Sequence, residues 1–481
     1  MSNVFVISFD ALRYDHVSAT RNGTQTTPFL DSIKEDAIEF TQHISTGSGT
    51  STSFPGIHAS SLPLDHGYAG LNENHVTLAE VLSDASIQTV GVTAQTSCSS
   101  IYDYDRGFEV FEDWVDDDQQ TGESFPRRLK STLVDGIENT PVLSPIASEL
   151  KLQYDGLKDV YDTPACPYPR AEDVTDTTIS LVDQHVDTTA DAFVWTHYME
   201  PHAPYYPPRE DIERFHDGRY DVGRIRRVVR KARRARPDII DGSMIEAVSE
   251  TEIEALRDFY AAATRYVDRE AKRLVDELDA RGLLEDSVVL FTADHGEELF
   301  DRGTLGHRTK MYDELIRVPL LLYDNSGRYA GETSIDAVRS HVDIAPTIAD
   351  WYGVDPPAEW RGVSLLEPLR DETGQIDRDY AIAELCHTQG LGGDVTLETL
   401  VAAVRSKRWK YIRNRQLDTE HLYDLRTDPD EQHNIAADHG DIVAELSTVL
   451  NDRLEGVSDT ARDVDLSSDV EKQLRELGYV E

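Results

Sequence analysis

Two stretches of the chain end an apolar run with a carboxylate at a predicted sheet edge. The run at residues 287–292 leads to Asp294-His295-Gly296, and the run at residues 3–9 leads to Asp10. Such runs are typical of buried parallel strands, whose carboxyl ends form the edge where open α/β sheets bind ligands. An Asp in this position is also a common helix N-cap, so either one alone has two interpretations. Together they indicate two acids presented at one sheet edge.

Two further segments carry nucleophilic or titratable groups. His197 and His202 follow the apolar run at residues 192–195, and prolines flank His202, a context that core packing explains poorly. Residues 40–53 are rich in Ser, Thr and Gly and precede Phe54-Pro55 and a predicted helix. This segment is either a flexible loop or the support of a hydroxyl at a helix N-terminus, where the dipole favours an anion and lowers the pKa of a nucleophile.

A large α/β scaffold is needed to position these groups. Additional strands are predicted at residues 87–93 and 317–323, and helices are predicted from residues 26, 76, 249 and 340. Near the end of the chain, residues 408–412 and 422–425 predict paired antiparallel strands, followed by a helical tail. We therefore predict an α/β fold with a large, mostly parallel central sheet and a small C-terminal antiparallel sheet.

The pattern predicts two units. Residues 1–375 form the catalytic α/β domain, with insertions near 115–190, which is acidic and irregular in pattern, and near 208–245. Residues 376–481 form a C-terminal subdomain with the small sheet and helices.

The charge of the chain is strongly acidic. Its 90 acidic and 47 basic residues give a formal net charge of −43, and only 10 of the basic residues are lysines. An acidic, lysine-poor surface suits a salt-rich cell interior, where self-repulsion is screened, so we expect a halophilic, haloarchaeal-type source. The same field repels phosphate backbones, and we expect no nucleic-acid partner.

One segment departs from this average: residues 224–236 contain eight basic residues in thirteen. Such a run usually forms a solvated helix face that pairs with the protein's own acids, and the alternative is a docking site for a polyanionic substrate.

The remaining composition bears on location. Cys98, Cys166 and Cys386 match no zinc or disulfide pattern, and we expect reduced thiols. No secretory leader and no apolar run of membrane-spanning length is present, so we expect a cytoplasmic protein without membrane insertion.

The motifs, taken in order, resemble the sulfatase family of the alkaline-phosphatase superfamily. The resemblance covers most of the chain and is carried by the following stretches: residues 10–13, 26–28, 63–67, 201–205, 294–297, 312–314 with 317–319, 343–347, and 422–425 with 428–431 and 434. It implies the alkaline-phosphatase/sulfatase-like sandwich and an enzyme that hydrolyses anionic esters.

The resemblance also implies roles for individual residues. Asp10, Asp294, His295 and Thr50 match the positions that bind a divalent cation, usually Ca²⁺ in this family, with Mg²⁺, Mn²⁺ and Zn²⁺ as alternatives. A hard cation takes oxygen ligands and lowers the pKa of a hydroxyl. His202 and His307 match positions at which the family's residues contact the anionic group of the substrate or protonate the leaving oxygen. Arg13 is assigned to the same catalytic set.

The nucleophile has two candidates. In the family, the nucleophile lies at a fixed distance before a proline that precedes a His-Gly pair, and counting back from Pro63 and His66-Gly67 selects Thr50. In nucleotide pyrophosphatase-like relatives, the nucleophile directly precedes a Phe-Pro pair, and this rule selects Ser53. We prefer Thr50, because its count uses two anchors.

Departures from the family pattern limit the predicted chemistry. The formylglycine motif Cys/Ser-x-Pro-x-Arg is replaced by Thr50-Ser51-Thr52-Ser53-Phe54, and the segment after the strand at 87–93 lacks the family's Gly-Lys-x-His. An unmodified hydroxyl suits phosphoryl or phosphonyl transfer at least as well as sulfate transfer.

We therefore expect a metal-dependent hydrolase of sulfate esters or related phosphate esters that forms a covalent intermediate. Its substrate would be an anionic ester, such as a sulfated or phosphorylated carbohydrate. The alternatives are a phosphodiesterase, phosphonate hydrolase or phosphoglycerol-transferase-like enzyme, and a non-catalytic binding protein on the same fold. The sequence does not determine the oligomeric state.

Overall fold

The computed structural model describes residues 2–65, 70–115, 166–234, 248–307, 309–329, 334–370, 378–386 and 396–457. Its centre is an eight-stranded sheet. The strands are β1 (Val4–Asp10), β2 (Ala37–Ile44), β3 (Gln88–Thr93), β4 (Val110–Glu112), β5 (Ala192–Pro201), β6 (Val288–Ala293), β7 (Leu320–Asp324) and β8 (Ser334–Ser340). Their spatial order is β8-β2-β7-β6-β1-β5-β3-β4. Strand β7 runs antiparallel to β2 and β6, and the other neighbouring strands described in this sheet pair in parallel.

Strand β1 lies in the middle of this sheet and is buried on both faces. Phe5, Ile7 and Phe9 point into one hydrophobic core, and Val4 and Val6 point into the other. Because successive side chains of a strand alternate between faces, a continuous apolar run is what a doubly covered strand requires.

Helices cover both faces and complete a three-layer sandwich. The helices are α1 (Pro28–Ile33), α2 (Thr50–Ala59), α3 (Leu78–Asp84), α4 (Ala171–His185), α5 (Arg209–Phe215), α6 (Val222–Arg234), α7 (Glu250–Ala280), α8 (Asp313–Ile316), α9 (Ile344–Trp351), α10 (Glu367–Arg370) and α11 (Gly440–Leu454). Residues of α1, α4 and α7 fill the first core, and residues of α2, α3 and α9 fill the second. The N-terminal half of α7 packs instead against α5 and α6. None of the described helices combines the length and the apolar character that a bilayer span requires.

Shorter elements connect these layers. The two-residue strands pair as Thr20–Arg21 with Thr24–Gln25 and as Glu298–Leu299 with Leu305–Gly306. The 3₁₀ turns are Tyr14–His16, Thr96–Cys98, Ser100–Tyr102, His341–Asp343, Leu397–Thr399 and Ala436–Asp438.

A second, four-stranded antiparallel sheet follows near the C-terminal end of the described chain. It consists of β9 (Ala381–Cys386), β10 (Leu400–Arg405), β11 (Trp409–Asn414) and β12 (Thr419–Asp424), paired in sequence order. One face packs against α8 and against residues of β2 and β8, and the other face packs against α11. The predicted fold class, including the small antiparallel sheet, is confirmed.

A buried cluster of four charges joins the second sheet to the rest of the chain. Arg405 and Lys410 contact the carboxylate of Asp313 at 2.9 and 2.8 Å, and Lys410 also contacts Glu431 at 2.9 Å. Burial by itself would raise the pKa of the Asp313 carboxyl, but the charges of Arg405 and Lys410 outweigh that effect and hold this pKa far below its usual range. Removing one member would leave a buried charge uncompensated, at a cost of about 3–5 kcal/mol.

Two sequence predictions differ from the structure. Residues 171–185, predicted as part of an irregular insertion, form helix α4, and Val174 and Val182 lie in the core. Acidic and Thr residues between the apolar positions hid their helical spacing. The polar segment at residues 40–53, expected to precede the helix, begins inside strand β2, and helix α2 begins at Thr50, so that Phe54 and Pro55 lie within the helix. Of the two interpretations of this segment, the structure thus agrees with a hydroxyl at a helix N-terminus. Residues 116–165 and 235–247, which belong to the two predicted insertions, lie outside the described residues.

Candidate active site

Asp10, Asp294 and His295 form a compact group at the carboxyl edge of the central sheet. Strands β1 and β6 are adjacent and parallel, with Phe9 opposite Ala293, so the residues that follow each strand meet. One ligand atom from each of the three residues lies within 4.8 Å of the others. All three side chains are fully buried. Three of the four sequence-predicted metal ligands are therefore brought together, and we call these three the metal-ligand group.

Backbone geometry orients the Asp294 carboxylate. Ala11 adopts a left-handed conformation with φ of 62°, and its N–H donates to Asp294 Oδ1 at 3.0 Å. The backbone N–H of His295 donates to the same oxygen at 2.7 Å. Tyr260 donates its hydroxyl proton to the carbonyl of Ala11 at 2.7 Å and so supports this turn. The other oxygen, Asp294 Oδ2, is buried and accepts no hydrogen bond from a described residue.

The hydrogen bond of His295 determines which of its ring nitrogens carries the proton. Its Nδ1 lies 2.7 Å from the carbonyl oxygen of Gly296, and because a carbonyl only accepts, Nδ1 carries the proton. Burial lowers the pKa of His295, which favours the neutral ring. The Nε2 lone pair then faces Asp294 Oδ2 at 3.5 Å and Asp10 Oδ1 at 3.6 Å. A lone pair between two carboxylates is repulsive without a cation, so this donor set fits a divalent metal ion.

Thr50 is the candidate nucleophile that the structure brings to this group. It is the first residue of α2, with Gly49 as the N-cap, and its Oγ1 lies 3.4 Å from His295 Nε2. Ser53 lies one turn further along α2, and its hydroxyl donates to the carbonyl of Gly47 at 3.1 Å and contacts Ser45 Oγ at 2.9 Å. Ser53 therefore stabilises the loop before the helix.

His202 and His307 border the same site. The ring of His307 lies 4.3 Å from that of His295 and 5.0 Å from that of His202, measured between centroids. A Cβ atom at Gly49 would lie 3.7 Å from His307 Cδ2, so this edge of the ring faces the start of α2. Both predicted histidines thus lie close to the metal-ligand group.

Glu297 is a site residue that the sequence reasoning did not assign. It is fully buried, and neither carboxylate oxygen accepts a hydrogen bond from a described residue. Its Oε1 lies 3.7 Å from His307 Nδ1, on the opposite side of the ring from Gly49. A buried carboxylate without hydrogen bonds is costly, so Glu297 would favour a proton on His307 Nδ1. Its place directly after Asp294-His295-Gly296 was the available signal.

Gln95 and His197 complete the surroundings of Asp10. The side-chain amide of Gln95 donates to Asp10 Oδ2. His197 Nε2 lies 4.0 Å from the same oxygen, while its Nδ1 contacts Ser8 Oγ at 2.9 Å. Burial lowers the pKa of His197 to about 4, so the ring is neutral at pH 7. Gln95 follows β3 at the same sheet edge, a position that the sequence reasoning noted only as a departure from the family pattern.

Arg13, predicted as a catalytic residue, has its guanidinium bound by the protein itself. Its side chain forms ion pairs of 2.7 Å with both Asp15 and Asp301. It also donates to the carbonyl of Glu297 at 3.1 Å. These contacts fix the turn that carries Glu297 and leave Arg13 as a positioning residue. The predicted anchor His66-Gly67 lies outside the described residues.

Comparison with known proteins identifies the family. A family model described as Sulfatase matches residues 2–354, and a second model, described as N-sulphoglucosamine sulphohydrolase, C-terminal, matches residues 301–460. Among curated proteins, the N-acetylglucosamine-6-O-sulfatase of Bacteroides thetaiotaomicron is 31% identical over 181 residues, which are 37% of this chain and 32% of that protein. Arylsulfatase K of Homo sapiens is 31% identical over 207 residues, which are 42% of this chain and 37% of that protein. The matched region thus spans about a third of the length of these two relatives.

Solved structures share the whole fold at low sequence identity. The structure of BT4656 in complex with its substrate D-glucosamine-2-N,6-O-disulfate gives a TM-score of 0.69 at 17% identity and covers 94% of this chain and 97% of that chain. The phosphonate monoester hydrolase of Agrobacterium radiobacter gives a TM-score of 0.67 at 19% identity and covers 96% and 99%. Because the family model covers most of the chain, this protein belongs to the sulfatase family, within the alkaline-phosphatase superfamily.

Proposed function

We propose that this protein is a metal-dependent hydrolase that cleaves sulfate esters through a covalent intermediate on Thr50. The observation that carries the proposal is the position of the Thr50 hydroxyl, at the N-terminus of α2 and 3.4 Å from His295 Nε2. The backbone N–H groups at a helix N-terminus favour an anion, which suits both the sulfuryl group and an alkoxide.

The cation would be held by Asp10, Asp294, His295 and Thr50, and when bound it would neutralise the anionic group and lower the pKa of the hydroxyl. The imidazole among these ligands bears on the choice of ion. Ca²⁺ takes oxygen ligands, whereas Mn²⁺ and Zn²⁺ also accept imidazole. We therefore expect Mn²⁺ or Zn²⁺ to support turnover at least as well as Ca²⁺.

The chain's own residues supply the remaining steps. Thr50 Oγ1 forms a bond to the sulfur atom as the bond from sulfur to the ester oxygen breaks; the hydroxyl proton of Thr50 passes to one of His202 and His307, and the ester oxygen takes a proton from the other. Water then cleaves the threonine ester: the histidine that gave its proton accepts one from the water, and the histidine that holds the Thr50 proton returns it to Thr50 Oγ1. Glu297 Oε1 lies 3.7 Å from His307 Nδ1 and would favour a proton on that nitrogen, while the Cδ2 edge of the same ring faces Gly49.

A phosphonate or phosphate diester is the second candidate substrate. The observation that favours it is the identity of residue 50: a threonine cannot be converted to formylglycine, and an ordinary hydroxyl is a competent nucleophile towards phosphorus. The similarity of the fold to a phosphonate monoester hydrolase is compatible with this alternative.

The names of relatives and the net charge support a class of substrate and a source for the protein. Relatives named for sulfatase activity on N-acetylglucosamine and hexuronate support a sulfated carbohydrate. The net charge of −43 supports a halophilic, haloarchaeal-type source with a salt-rich cytoplasm. A non-catalytic binding protein is disfavoured, because all predicted metal ligands are retained in one site together with His202 and His307.

A substrate panel tests the proposal. Protein stripped of metal with EDTA is assayed at about 2 M KCl with p-nitrophenyl sulfate, phosphate, phosphodiester and phosphonate esters, each with Ca²⁺, Mg²⁺, Mn²⁺ or Zn²⁺. We expect turnover of the sulfate ester that requires added metal and is absent in Thr50→Ala. Faster turnover of the phosphonate or diester would favour the second candidate. No metal-dependent turnover of any ester would refute the hydrolase assignment.

A further inference from the structure

Helix α6 carries three arginines that form no ion pair within the described part of the chain, although the sequence has an excess of acids. The guanidinium groups of Arg224, Arg226 and Arg227 form no ion pair with a carboxylate of the described residues, although the backbone N–H of Arg224 donates to Asp221 Oδ1 at 2.7 Å. On the same helix, the ammonium group of Lys231 pairs with Glu252 at 2.9 Å. With 90 acidic and 47 basic residues, a shortage of partners does not explain this. The interpretation of this stretch as a face paired with the protein's own acids therefore fails for these three residues within the described part of the chain.

Aromatic rings hold two of these guanidinium groups in place. Arg224 Cζ lies 4.2 Å from the ring centroid of Tyr220, and Arg226 Cζ lies 5.3 Å from that of Tyr206. Stacking of this kind engages the flat face of a guanidinium and leaves the N–H groups at its edges available to an oxyanion.

The remaining polar contacts of these side chains are few. One nitrogen of Arg224, Nη1, donates to the carbonyl of Arg219 at 2.9 Å. Arg227 Nη1 is buried and has no hydrogen-bond partner among the described residues. The three side chains, which we call the arginine surface, therefore carry guanidinium groups with no described carboxylate within 4.0 Å.

The opposite side of α6 packs on the segments that carry His202 and His307. Its apolar residues share one core with Ala203 and Tyr205, which follow His202, and with Leu299 and Leu305, which precede His307. Tyr206, under Arg226, is four residues beyond His202 in the sequence, which places it within about 14 Å along the chain. The arginine surface therefore belongs to the same part of the molecule as the site.

We propose that the arginine surface binds a second sulfate group of an oligomeric, multiply sulfated carbohydrate whose reacting ester lies at Thr50. This inference rests on the proposed function and specifies its substrate class. At about 1 M salt the screening length is about 3 Å, so long-range attraction is ineffective and recognition requires direct contact. Arginine suits that condition, because its planar fork donates two parallel hydrogen bonds to one oxyanion.

Inhibition by a sulfated oligosaccharide tests this proposal without knowledge of the natural substrate. Turnover of the best p-nitrophenyl ester is measured at about 1 M KCl with increasing concentrations of a heparin-derived hexasaccharide. The triple variant Arg224→Gln, Arg226→Gln, Arg227→Gln should raise the inhibition constant of the hexasaccharide about tenfold, as expected when three modest interactions are removed together. Its kcat and KM for the small ester should stay unchanged.

A matched control removes the same charge elsewhere. The triple variant Arg408→Gln, Arg413→Gln, Arg426→Gln changes residues in or next to strands β11 and β12, where each arginine has a carboxylate within 4.0 Å. It should leave the inhibition constant unchanged. Equal inhibition constants in wild type and in the α6 variant would overturn the proposal. A lower melting temperature of that variant without weaker inhibition would also overturn it and would assign the arginines to an acidic segment of this chain.

A direct binding measurement separates this inference from the proposed function. If the wild-type protein turns over no ester, the hydrolase assignment fails, but titration calorimetry with the same hexasaccharide still tests the arginine surface. Tight binding to the wild type that weakens about tenfold in the α6 variant supports the surface. Equal binding to both, or no binding to the wild type, refutes it.

Discussion

Replacing Thr50 by alanine should abolish turnover, whereas replacing Ser53 by alanine should mainly lower stability, because of these two hydroxyls the Thr50 hydroxyl faces the metal-ligand group. Thr50→Ala removes the hydroxyl next to His295, and loss of a nucleophile typically lowers kcat by about 10⁴-fold or more. Ser53→Ala removes a donor to the Gly47 carbonyl and a contact with Ser45. Ser45 also donates to the Gly47 carbonyl, so that acceptor stays satisfied, and the loss should be about 1–2 kcal/mol of folding free energy.

The assay measures both quantities for each variant. Steady-state turnover of the best p-nitrophenyl ester and equilibrium unfolding, both at about 2 M KCl, are compared for Thr50→Ala, Thr50→Ser and Ser53→Ala. Thr50→Ser keeps the hydroxyl and loses one methyl group, so it should retain measurable turnover. Ser53→Ala should keep kcat within about tenfold of the wild type. Wild-type activity in Thr50→Ala, or a slow substrate analogue trapped on Ser53, would refute the assignment.

Four further predictions follow from the same geometry. Asp294→Asn should lower the bound metal content without unfolding the protein, because it removes a charged ligand but little volume; elemental analysis after dialysis measures this, and equal content would contradict it. Glu297→Gln should lower kcat about 10- to 100-fold with KM nearly unchanged, since it alters the support of His307 rather than a substrate contact. Burial raises the pKa of Glu200 from 4.5 to about 8, so the proton is held more tightly in the folded state, and this contribution to stability is lost as the pH rises through that interval. Glu200→Gln, which mimics the protonated form, should therefore become more stable relative to wild type as the pH rises through the same interval. A pH-independent difference in unfolding free energy between the two proteins would argue against it. Finally, lowering KCl from about 2 M to about 50 mM should lower the melting temperature through self-repulsion of the net charge of −43, and a constant melting temperature would contradict the halophilic assignment.

The metal-ligand group was predictable from the sequence because it depends on local pattern and sheet topology. An apolar run followed by an acid identifies a buried strand and its carboxyl end, and parallel neighbours bring such ends together, as Asp10 and Asp294 show. The central sheet, the small antiparallel sheet and the long helix α7 were predictable for the same reason.

Contacts between distant segments were not predictable in this way. The arrangement of Ser53 depends on the carbonyl of Gly47, and the engagement of Arg13 depends on Asp301, which is 288 residues away in the sequence. Glu297 carries no sequence signal of its own beyond its place after a known motif, because its role depends on where the hairpin returns His307. Side-chain pairing across the fold decides these roles, whereas periodicity reports only burial.

The buried charge cluster between α8 and the second sheet constrains how this chain can exchange parts with its relatives. Asp313 is contributed by the segment before the second sheet, whereas Arg405, Lys410 and Glu431 are contributed by the sheet and the turn after it. A chimera that takes its C-terminal third from a relative without both cations would bury Asp313 without compensation. Recombination near residue 375 therefore succeeds only when the two parents match at these positions. The choice of crossover partners is thereby limited by electrostatic compatibility, even for parents whose backbones superimpose.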